Sequence, residues 1–325
     1  MSNTKKYFAG ANTSVGFYNL FHNIRKEAPG FHYIIKGGAG TGKSTLMKTI
    51  ANYFLSKNEE IELFYCSSDP SSLDGMNIKK HNITLVDGTS PHIVNDFSPS
   101  IEDKIINLGE YISPSIIKDK NKINKLLNIK KHHFSNCYSY LAIANELYKI
   151  NQPTKLTKDN INSTVDQIIN DLKLNKIGTK TKPRELFLNI LNTQTLNFEK
   201  ENNFTISKLN QKHTLSSQLL KELSNIFCSY GYSIIEFKNF LNPEKTESLY
   251  IEDLNLLIKQ SEPPQIKNQK QVNSFINKAK IELNKASLTH KKIESHYIKK
   301  VNYSEINNIT QSLINEIELR ISSKL

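Results

Sequence analysis

The chain has 325 residues, enough for about two domains, with a formal net charge of +12 and three cysteines, Cys66, Cys137 and Cys228. The cysteines show no C-x-x-C spacing and no stretch reaches the roughly 18 apolar residues that span a bilayer, which argues against a disulfide framework, a zinc site and a membrane partner. The opening MSNTKKYFAGANTS lacks the apolar segment of a secretory signal, so we expect a soluble, cytoplasmic protein.

The first distinctive segment is YFAGANTSVGFYNLF (residues 7–21), which mixes small residues, two glycines and aromatics. Two interpretations stay open for it. It either folds across a bound base or forms a leading strand and helix.

A strand, a glycine-rich loop and a helix follow in residues 31–56. FHYIIK (31–36) is a short β-rich apolar run, and Leu46, Met47, Ile50 and Phe54 form one apolar stripe at helical spacing. Between them the spacing Gly37-x4-Gly42-Lys43-Ser44 is that of a phosphate-binding loop, whose backbone N–H groups and helix dipole converge on a phosphate. We expect the nucleotide to contact Gly37, Gly38, Ala39, Gly40, Thr41, Gly42, Lys43, Ser44 and Thr45.

The chemistry expected of this loop needs a cation and a magnesium ion. Lys43 is predicted to reach the β- and γ-phosphates, Ser44 to ligate Mg²⁺ and Thr45 to support the α-phosphate side. Two further apolar runs, IELFYC (61–66) and NITLVDG (82–88), predict strands that flank a loop. Asp87 ends the second run, where a Walker B aspartate would hold Mg²⁺ directly or through water. An Asp-Gly turn that closes a strand is the alternative.

The catalytic base is less well marked in the sequence. Gly88, not a glutamate, follows Asp87. Asp69 is a candidate for a catalytic or substrate-orienting role, although Asp-Pro is also a turn signal. Glu110 is a candidate base by elimination, with an exposed helix glutamate as the alternative. His92 is a candidate sensor of the γ-phosphate or a plain loop residue.

The chain also matches itself at a constant shift of 173 residues, without a gap, from Phe31 to about Pro91. The apolar positions persist in the second copy. Under the same shift Gly42 and Lys43 become Leu215 and Ser216, and Asp87 becomes Gln260. We therefore expect the second copy to share the fold and to lack the phosphate site.

Helical periodicity follows each copy, in residues 100–175 and 270–325, and THKKIESHYIKK (289–300) adds a basic surface. The helices predicted at 159–172 and 304–317 have apolar residues at matching positions. Adjacent His132 and His133 point in different directions on a helix and do not predict a metal site. The segment NKIGTKTKPRE (175–185) interrupts the helical pattern, so we predict two domains, residues 1–180 and 181–325.

The fold class predicted from these patterns is α/β, with tandem P-loop NTPase-like parallel-sheet cores, each followed by a helical arm, the second copy degenerate. The segments YFAGANTSVGFYNLF, YIIKGGAGTGKSTLMK, CSSDPSSLDG and LVDGTSPH together resemble a family of two-unit P-loop ATP-binding proteins, mainly from spore-forming Gram-positive bacteria. The resemblance implies ATP and Mg²⁺ at residues 37–45 with Asp87, and adenine as the base. It implies no particular reaction.

Three functions remain open at this point. The leading one is a Mg²⁺-dependent ATPase in which ATP occupancy changes the packing of the first unit against the second unit, a protein partner or another copy. The second is a kinase for a nucleotide or small molecule. The third is a nucleic-acid-associated ATPase that uses its basic arms, although no recognition motif accompanies the charge.

Overall fold

The computed structural model describes residues 4–25, 30–90, 101–150, 158–191, 197–207, 216–259 and 268–323. The described part of the chain is mixed α/β, which confirms the predicted class at that level. The strands are β1 Thr4–Tyr7, β2 Gly10–Thr13, β3 Gly16–Asn19, β4 Phe31–Lys36, β5 Ile61–Tyr65, β6 Leu73–Ile78, β7 Ile83–Asp87, β8 Asp103–Asn107, β9 Arg184–Leu186, β10 Thr205–Ile206, β11 Ile234–Lys238, β12 Thr246–Ile251 and β13 Leu256–Lys259. The helices are α1 Lys43–Ser56, α2 Lys120–Ile150, α3 Lys158–Leu172, α4 Phe198–Glu201, α5 Ser217–Ser229, α6 Gln269–Ile298 and α7 Tyr303–Ser322.

Two separate sheets carry most of these strands. The first sheet has the order β1-β5-β6-β7-β4-β8 and the second the order β10-β13-β12-β11-β9, while β2 and β3 form a hairpin. The prediction of parallel sheets is wrong for both, because β6 runs antiparallel to β5 and β7, and β12 runs antiparallel to β11 and β13. Short connections allow these hairpins, whereas a parallel neighbour needs a crossover.

Two further strand assignments differ from the sequence prediction. Strand β6 lies where a loop between two strands was expected, because its buried residues include Asp74, Gly75 and Asn77 and so show no apolar run. Strand β8, Asp103–Asn107, lies in the segment that was assigned to the first helical arm, and it pairs in parallel with β4. The long helix of that arm begins only at Lys120.

The two sheets share their strand order and their irregularities. Read from β1 and from β9, the orders β1-β5-β6-β7-β4 and β9-β11-β12-β13-β10 correspond strand for strand. Register shifts fall between Phe64 and Tyr65 in one sheet and between Phe237 and Lys238 in the other, which is the 173-residue offset seen in the sequence. Asn82 and its counterpart Asn255 both have positive φ. The two sheets are therefore built on the same local geometry.

One of the helices that follow each sheet packs against a helix of the other sheet. Helix α7, late in the chain, packs its apolar face on α1 of the first sheet, and α3, which follows the first sheet, packs on α5 of the second. The buried side chains on α7 are Ile306, Leu313, Ile314 and Ile317, packed with Leu46, Met47 and Ile50. Those on α3 are Ile161, Val165 and Ile168, packed with Leu219, Leu220 and Leu223. We call this arrangement the arm exchange.

The long helices α2 and α6 pack against each other along their length. Helix α2 has 31 residues and α6 has 30, so each is about 45 Å long. Their shared core contains Cys137 and Leu141 from α2 with Ala279 and Leu283 from α6. Of the helices that the structure describes, none is both long enough and apolar enough to cross a bilayer.

Polar contacts also join the two sheets. Phe8 and Phe187 exchange two backbone hydrogen bonds, of 3.0 and 2.9 Å. Arg184 donates to both carboxylate oxygens of Glu62, at 2.8 and 3.0 Å, and these groups are largely buried. Because the arm exchange links both halves, a cut near residue 180 would separate each sheet from its covering helix. The predicted boundary between residues 180 and 181 stays a prediction.

Candidate functional site

The candidate site begins where β4 ends and α1 begins. Residues 37–42 connect the two elements. We call residues 37–45 the P-loop, after the sequence motif that they contain and not after a demonstrated function. Gly40 has φ +70 and Gly42 has φ +88, values that residues with a Cβ rarely adopt. The glycines of the motif therefore permit the turn that brings the backbone around the N-terminus of α1.

The N-terminus of α1 is open, unlike that of the corresponding helix in the second sheet. Gly42 is the N-cap residue of α1 and provides no side-chain hydrogen bond. In α5 the N-cap is Ser216, whose hydroxyl oxygen accepts a hydrogen bond from the Leu219 N–H at 3.2 Å. In the described part of the chain no cap side chain accepts from the first-turn N–H groups of α1, so these groups are suited to bind an anion.

The Lys43 ammonium lies inside the P-loop. Its Nζ donates to the carbonyl oxygens of Gly37 and Gly38, both at 2.9 Å, and it lies 3.5 Å from Oδ2 of Asp87. Asp87 ends β7, the strand beside β4, and its other carboxylate oxygen accepts from the Thr89 N–H at 2.8 Å. The lysine and the aspartate that the sequence singled out are thus in contact, at the carboxyl ends of two neighbouring parallel strands.

Ser44 lies at the start of α1, and its hydroxyl oxygen accepts a hydrogen bond from the Leu73 N–H at 2.9 Å. The second sheet repeats this contact, since Ser217 Oγ accepts from the Thr246 N–H at 2.8 Å. The hydrogen bond is therefore a feature of both sheets. It orients the Ser44 hydroxyl without using its proton. Thr45, the next residue, is exposed at the edge of the site.

A cavity of about 940 Å³ opens over the P-loop. Its walls include the P-loop, Asp87, Asn12 and Phe17 of the β2–β3 hairpin, and side chains of α2 and α6. The hairpin belongs to the segment for which two interpretations were open. The segment forms this hairpin between β1, which ends at Tyr7, and a short 3₁₀ helix, Phe21–Asn23, and the hairpin residues Asn12 and Phe17 line the cavity.

Residues from late in the chain cover the outer side of the P-loop. The hydroxyl of Tyr303 donates to the carbonyl oxygen of Gly40 at 2.9 Å. A Cβ at Gly38 would lie 3.1 Å from the ring of Tyr297, and one at Gly40 would lie 3.1 Å from the backbone oxygen of Glu294. The arm that follows the second sheet thus packs directly on the P-loop of the first.

The remaining sequence candidates separate into three cases. Asp69 lines the cavity, and although burial would raise its pKa, hydrogen bonds from Ser72 and Ser71 lower it below the usual value. Glu110 is exposed, accepts a hydrogen bond from Asn107 and is not part of the cavity wall, so the structure does not bring it to the P-loop. His92 lies outside the described residues.

The cavity residues that were not predicted from the sequence include Lys130 on α2, and His290 and Glu294 on α6. Burial, followed by repulsion from Asp69, raises the pKa of Glu294. Both helices were recognised as helical and basic, but their contact with the P-loop depends on the packing of α2 against α6. The segment 289–300, expected to be a basic surface, in part forms the cavity wall.

The donor set fits a nucleotide with magnesium. The P-loop presents backbone N–H groups and Lys43 to a phosphate, while Ser44 and Asp87 provide the oxygen ligands that Mg²⁺ prefers. Within the described ranges, no group of three or more His, Cys, Asp or Glu side chains could hold a metal by itself. A magnesium ion on Ser44 and Asp87 would complete its coordination with phosphate and water oxygens, as is usual for this ion.

No protein-family profile, curated protein or solved structure matches the chain. The resemblance to two-unit P-loop ATP-binding proteins therefore stays a prediction. The functional argument depends on the site itself.

Proposed function

We propose that the chain is a Mg²⁺-dependent, ATP-binding P-loop NTPase with one working nucleotide site, in the first sheet. The observation that carries the proposal is the open N-terminus of α1 with Lys43 folded against Gly37 and Gly38 beside Asp87. A lysine ammonium that donates to the carbonyls of its own loop is free to exchange those contacts for phosphate oxygens. A cytoplasmic location, where ATP and Mg²⁺ are available, is part of the proposal.

The roles of the residues follow from their positions. Backbone N–H groups of residues 38–44 would bind the phosphates, Lys43 would neutralise the β- and γ-phosphates, and Ser44 and Asp87 would hold Mg²⁺. When bound, ATP and Mg²⁺ supply a transferable phosphoryl group and neutralisation of its charge. The hairpin residues Asn12 and Phe17 would face the rest of the nucleotide.

We propose further that the two sheets are tandem P-loop-like cores and that the second is degenerate. The shared strand order, the register shifts at Phe64 and Phe237 and the repeated serine contact support a duplication. Ser216 stands at the position of Lys43 and caps its own helix. A helix capped in this way, with no lysine at that position, is not suited to hold a nucleotide.

Glu294 and Asp69 are the candidates to orient the attacking group. Glu294 lines the cavity, and its raised pKa is appropriate for a group that accepts a proton. We expect Glu294→Gln to slow turnover at least tenfold while nucleotide affinity changes less than about threefold. Gly88 follows Asp87, where many ATPases have a catalytic glutamate. Glu294, from the other half of the chain, would take that role.

A small-molecule or nucleotide kinase is the second candidate. The cavity of about 940 Å³ is near the upper end of the roughly 300–1,000 Å³ range of ligand pockets, and Asp69 on its wall could orient an acceptor. A nucleic-acid-associated ATPase is the third, and no observation in the site favours it.

Calorimetric titration with ATP, ADP and GTP in the presence of Mg²⁺ tests the site. We expect Lys43→Met to lower ATP affinity about 100-fold and Lys57→Met, an exposed lysine at the end of the same helix, to leave it unchanged. Equal affinities for ATP in both variants and the wild type would contradict the proposal.

Product analysis with ATP and Mg²⁺ separates the reactions. Released phosphate without an acceptor supports an ATPase, a phosphorylated compound from a panel of nucleotides and metabolites supports a kinase, and faster hydrolysis with DNA or RNA supports the third function. A steep decrease of the nucleic-acid effect with added salt would be expected in that last case.

A further inference from the structure

A pair of basic residues lines the same cavity as the P-loop. Lys130 comes from α2 and His290 from α6, and the Lys130 Nζ is 3.1 Å from the His290 Nδ1. Both residues line the cavity that the P-loop lines. Helix α2 follows the first sheet and α6 follows the second, so each half of the chain contributes one member of the pair.

The protonation state of the pair follows from its geometry. An ammonium group is only a donor, so the His290 Nδ1 must accept and the proton of the neutral ring is on Nε2. Burial, followed by the charges of Lys130 and Lys43, lowers the pKa of His290 to about 4. At neutral pH the pair therefore carries one positive charge, on Lys130.

That charge forms no ion pair with a carboxylate in the part of the chain that the structure describes. The Lys130 ammonium contacts His290 and lies 5.9 Å above the ring of Phe134, while the nearby Glu294 lies 3.7 Å from the other ring nitrogen of His290. Burial lowers the pKa of Lys130 and repulsion from Lys43 adds to this, whereas the charge of Glu294 acts in the opposite direction. A half-buried cation that is not ion-paired, held near a second cation, is better stabilised when an anion binds between them.

The position of the pair relative to the P-loop indicates which anion this is. Lys43 has Asp87 as its ion-pair neighbour, and its charge acts on both Lys130 and His290. Lys43 is expected to neutralise the β- and γ-phosphates, and the loop backbone surrounds the phosphates closest to α1. A cation near Lys43 that comes from another element would therefore meet the terminal phosphate.

We propose that Lys130 and His290 bind the terminal phosphate of a nucleoside triphosphate held by the P-loop. This inference rests on the proposed nucleotide site. The pair then distinguishes a triphosphate from a diphosphate, and it ties α2 and α6 to the phosphorylation state of the nucleotide. Because the two helices belong to different halves of the chain, the same contact would transmit that state between the halves.

The test compares the dissociation constants of a non-hydrolysable ATP analogue and of ADP, both with Mg²⁺, by calorimetric titration. We expect Lys130→Met to weaken the analogue about 10- to 100-fold and ADP less than about threefold. His290→Gln is expected to weaken the analogue less, and Lys130→Arg to retain most of the preference for the triphosphate. Lys125→Met is the matched control, because Lys125 is exposed on the same helix and outside the cavity wall.

The outcomes separate this inference from the proposed site. Suppose that Lys43→Met binds neither nucleotide while Lys130→Met keeps the wild-type ratio of analogue to ADP affinity. The proposed nucleotide site is then supported and the inference about Lys130 and His290 is overturned. Equal weakening of both nucleotides by Lys130→Met would also overturn it. If Lys43→Met binds both nucleotides as the wild type does, the proposed site itself fails.

Thermal melts with and without the analogue distinguish weaker binding from a loss of folding stability in Lys130→Met. Burial disfavours the charged form of Lys130, so the melting temperature of Lys130→Met should be equal to or above that of the wild type, whereas the gain in melting temperature on adding the analogue should be smaller. A variant that melts earlier but keeps the full gain would show a structural role only, against the inference.

Discussion

Replacing Ile317 by alanine tests the arm exchange at the point where α7 covers α1. Ile317 is completely buried in the cluster that contains Leu46, Met47 and Ile50. The substitution removes three carbon atoms, about 2.4 kcal/mol of transfer free energy at ~0.8 kcal/mol each, and leaves a cavity. We therefore expect the free energy of opening the first sheet and α1 to fall by about 3–4 kcal/mol.

Hydrogen exchange followed by mass spectrometry on the full chain measures that loss locally. At about 1.4 kcal/mol per tenfold change, protection of residues 43–56 should fall at least 100-fold, and protection of residues 217–229 should fall less. Leu319→Ala, on an exposed side of the same helix, is the control and should cost less than about 0.5 kcal/mol. Ile168→Ala on α3 should give the reverse pattern, with the loss concentrated in residues 217–229.

The reasoning would be refuted if Ile317→Ala lowered protection in residues 217–229 and left residues 43–56 unchanged. Equal losses in both regions would also contradict it, because the exchanged helices would then stabilise the chain as a whole and not the sheet that each one covers.

Three further predictions concern stability. Gly42→Ala should cost about 1–2 kcal/mol from its positive φ alone, and Gly40→Ala should cost more because its Cβ would also press on the backbone of α6, as thermal melts would show. Glu62→Gln should destabilise the chain to urea by about 3–5 kcal/mol, since it leaves the Arg184 charge buried and unpaired, and adding Arg184→Met should recover part of that loss. Burial, followed by the charge of Arg25, lowers the pKa of His32 to about 4 in the folded chain. The folded state is therefore most stable, relative to the unfolded state, above pH 6.5, and this contribution is lost as the pH falls through 4. Between pH 7 and pH 5 the wild type should lose about 2 kcal/mol more than His32→Gln in urea titrations, and equal losses would exclude this role.

The sequence predicted the elements whose signals are local. The glycine spacing and the change from strand to helix periodicity located β4, the P-loop and α1, and an aspartate after an apolar run located Asp87 at the end of β7. Strand β6 was missed because Asp74, Gly75 and Asn77 interrupt its apolar pattern although the strand is buried. Strand β6 pairs with β5 and β7 and packs against α1, and these contacts, which bury it, leave no local pattern in the sequence.

The partners of the helical arms could not be predicted for a related reason. Amphipathic periodicity in α3 and α7 shows that each helix has an apolar face, but α1 and α5 present similar apolar faces to receive it. The choice between them depends on the connections and on the packing of α2 against α6. Lys130, His290 and Glu294 were missed for the same cause, because only that packing brings them to the P-loop.

The arm exchange also determines when the first sheet can acquire its full native packing during synthesis. Tyr53 on α1 donates a hydrogen bond to Glu318 on α7, across a separation of 265 residues. Until α7 leaves the ribosome, the apolar side of α1 has no native cover, and contacts of such long range form slowly. The nascent first sheet should therefore be a substrate for chaperones, and nucleotide binding should arise only after the second half has been made.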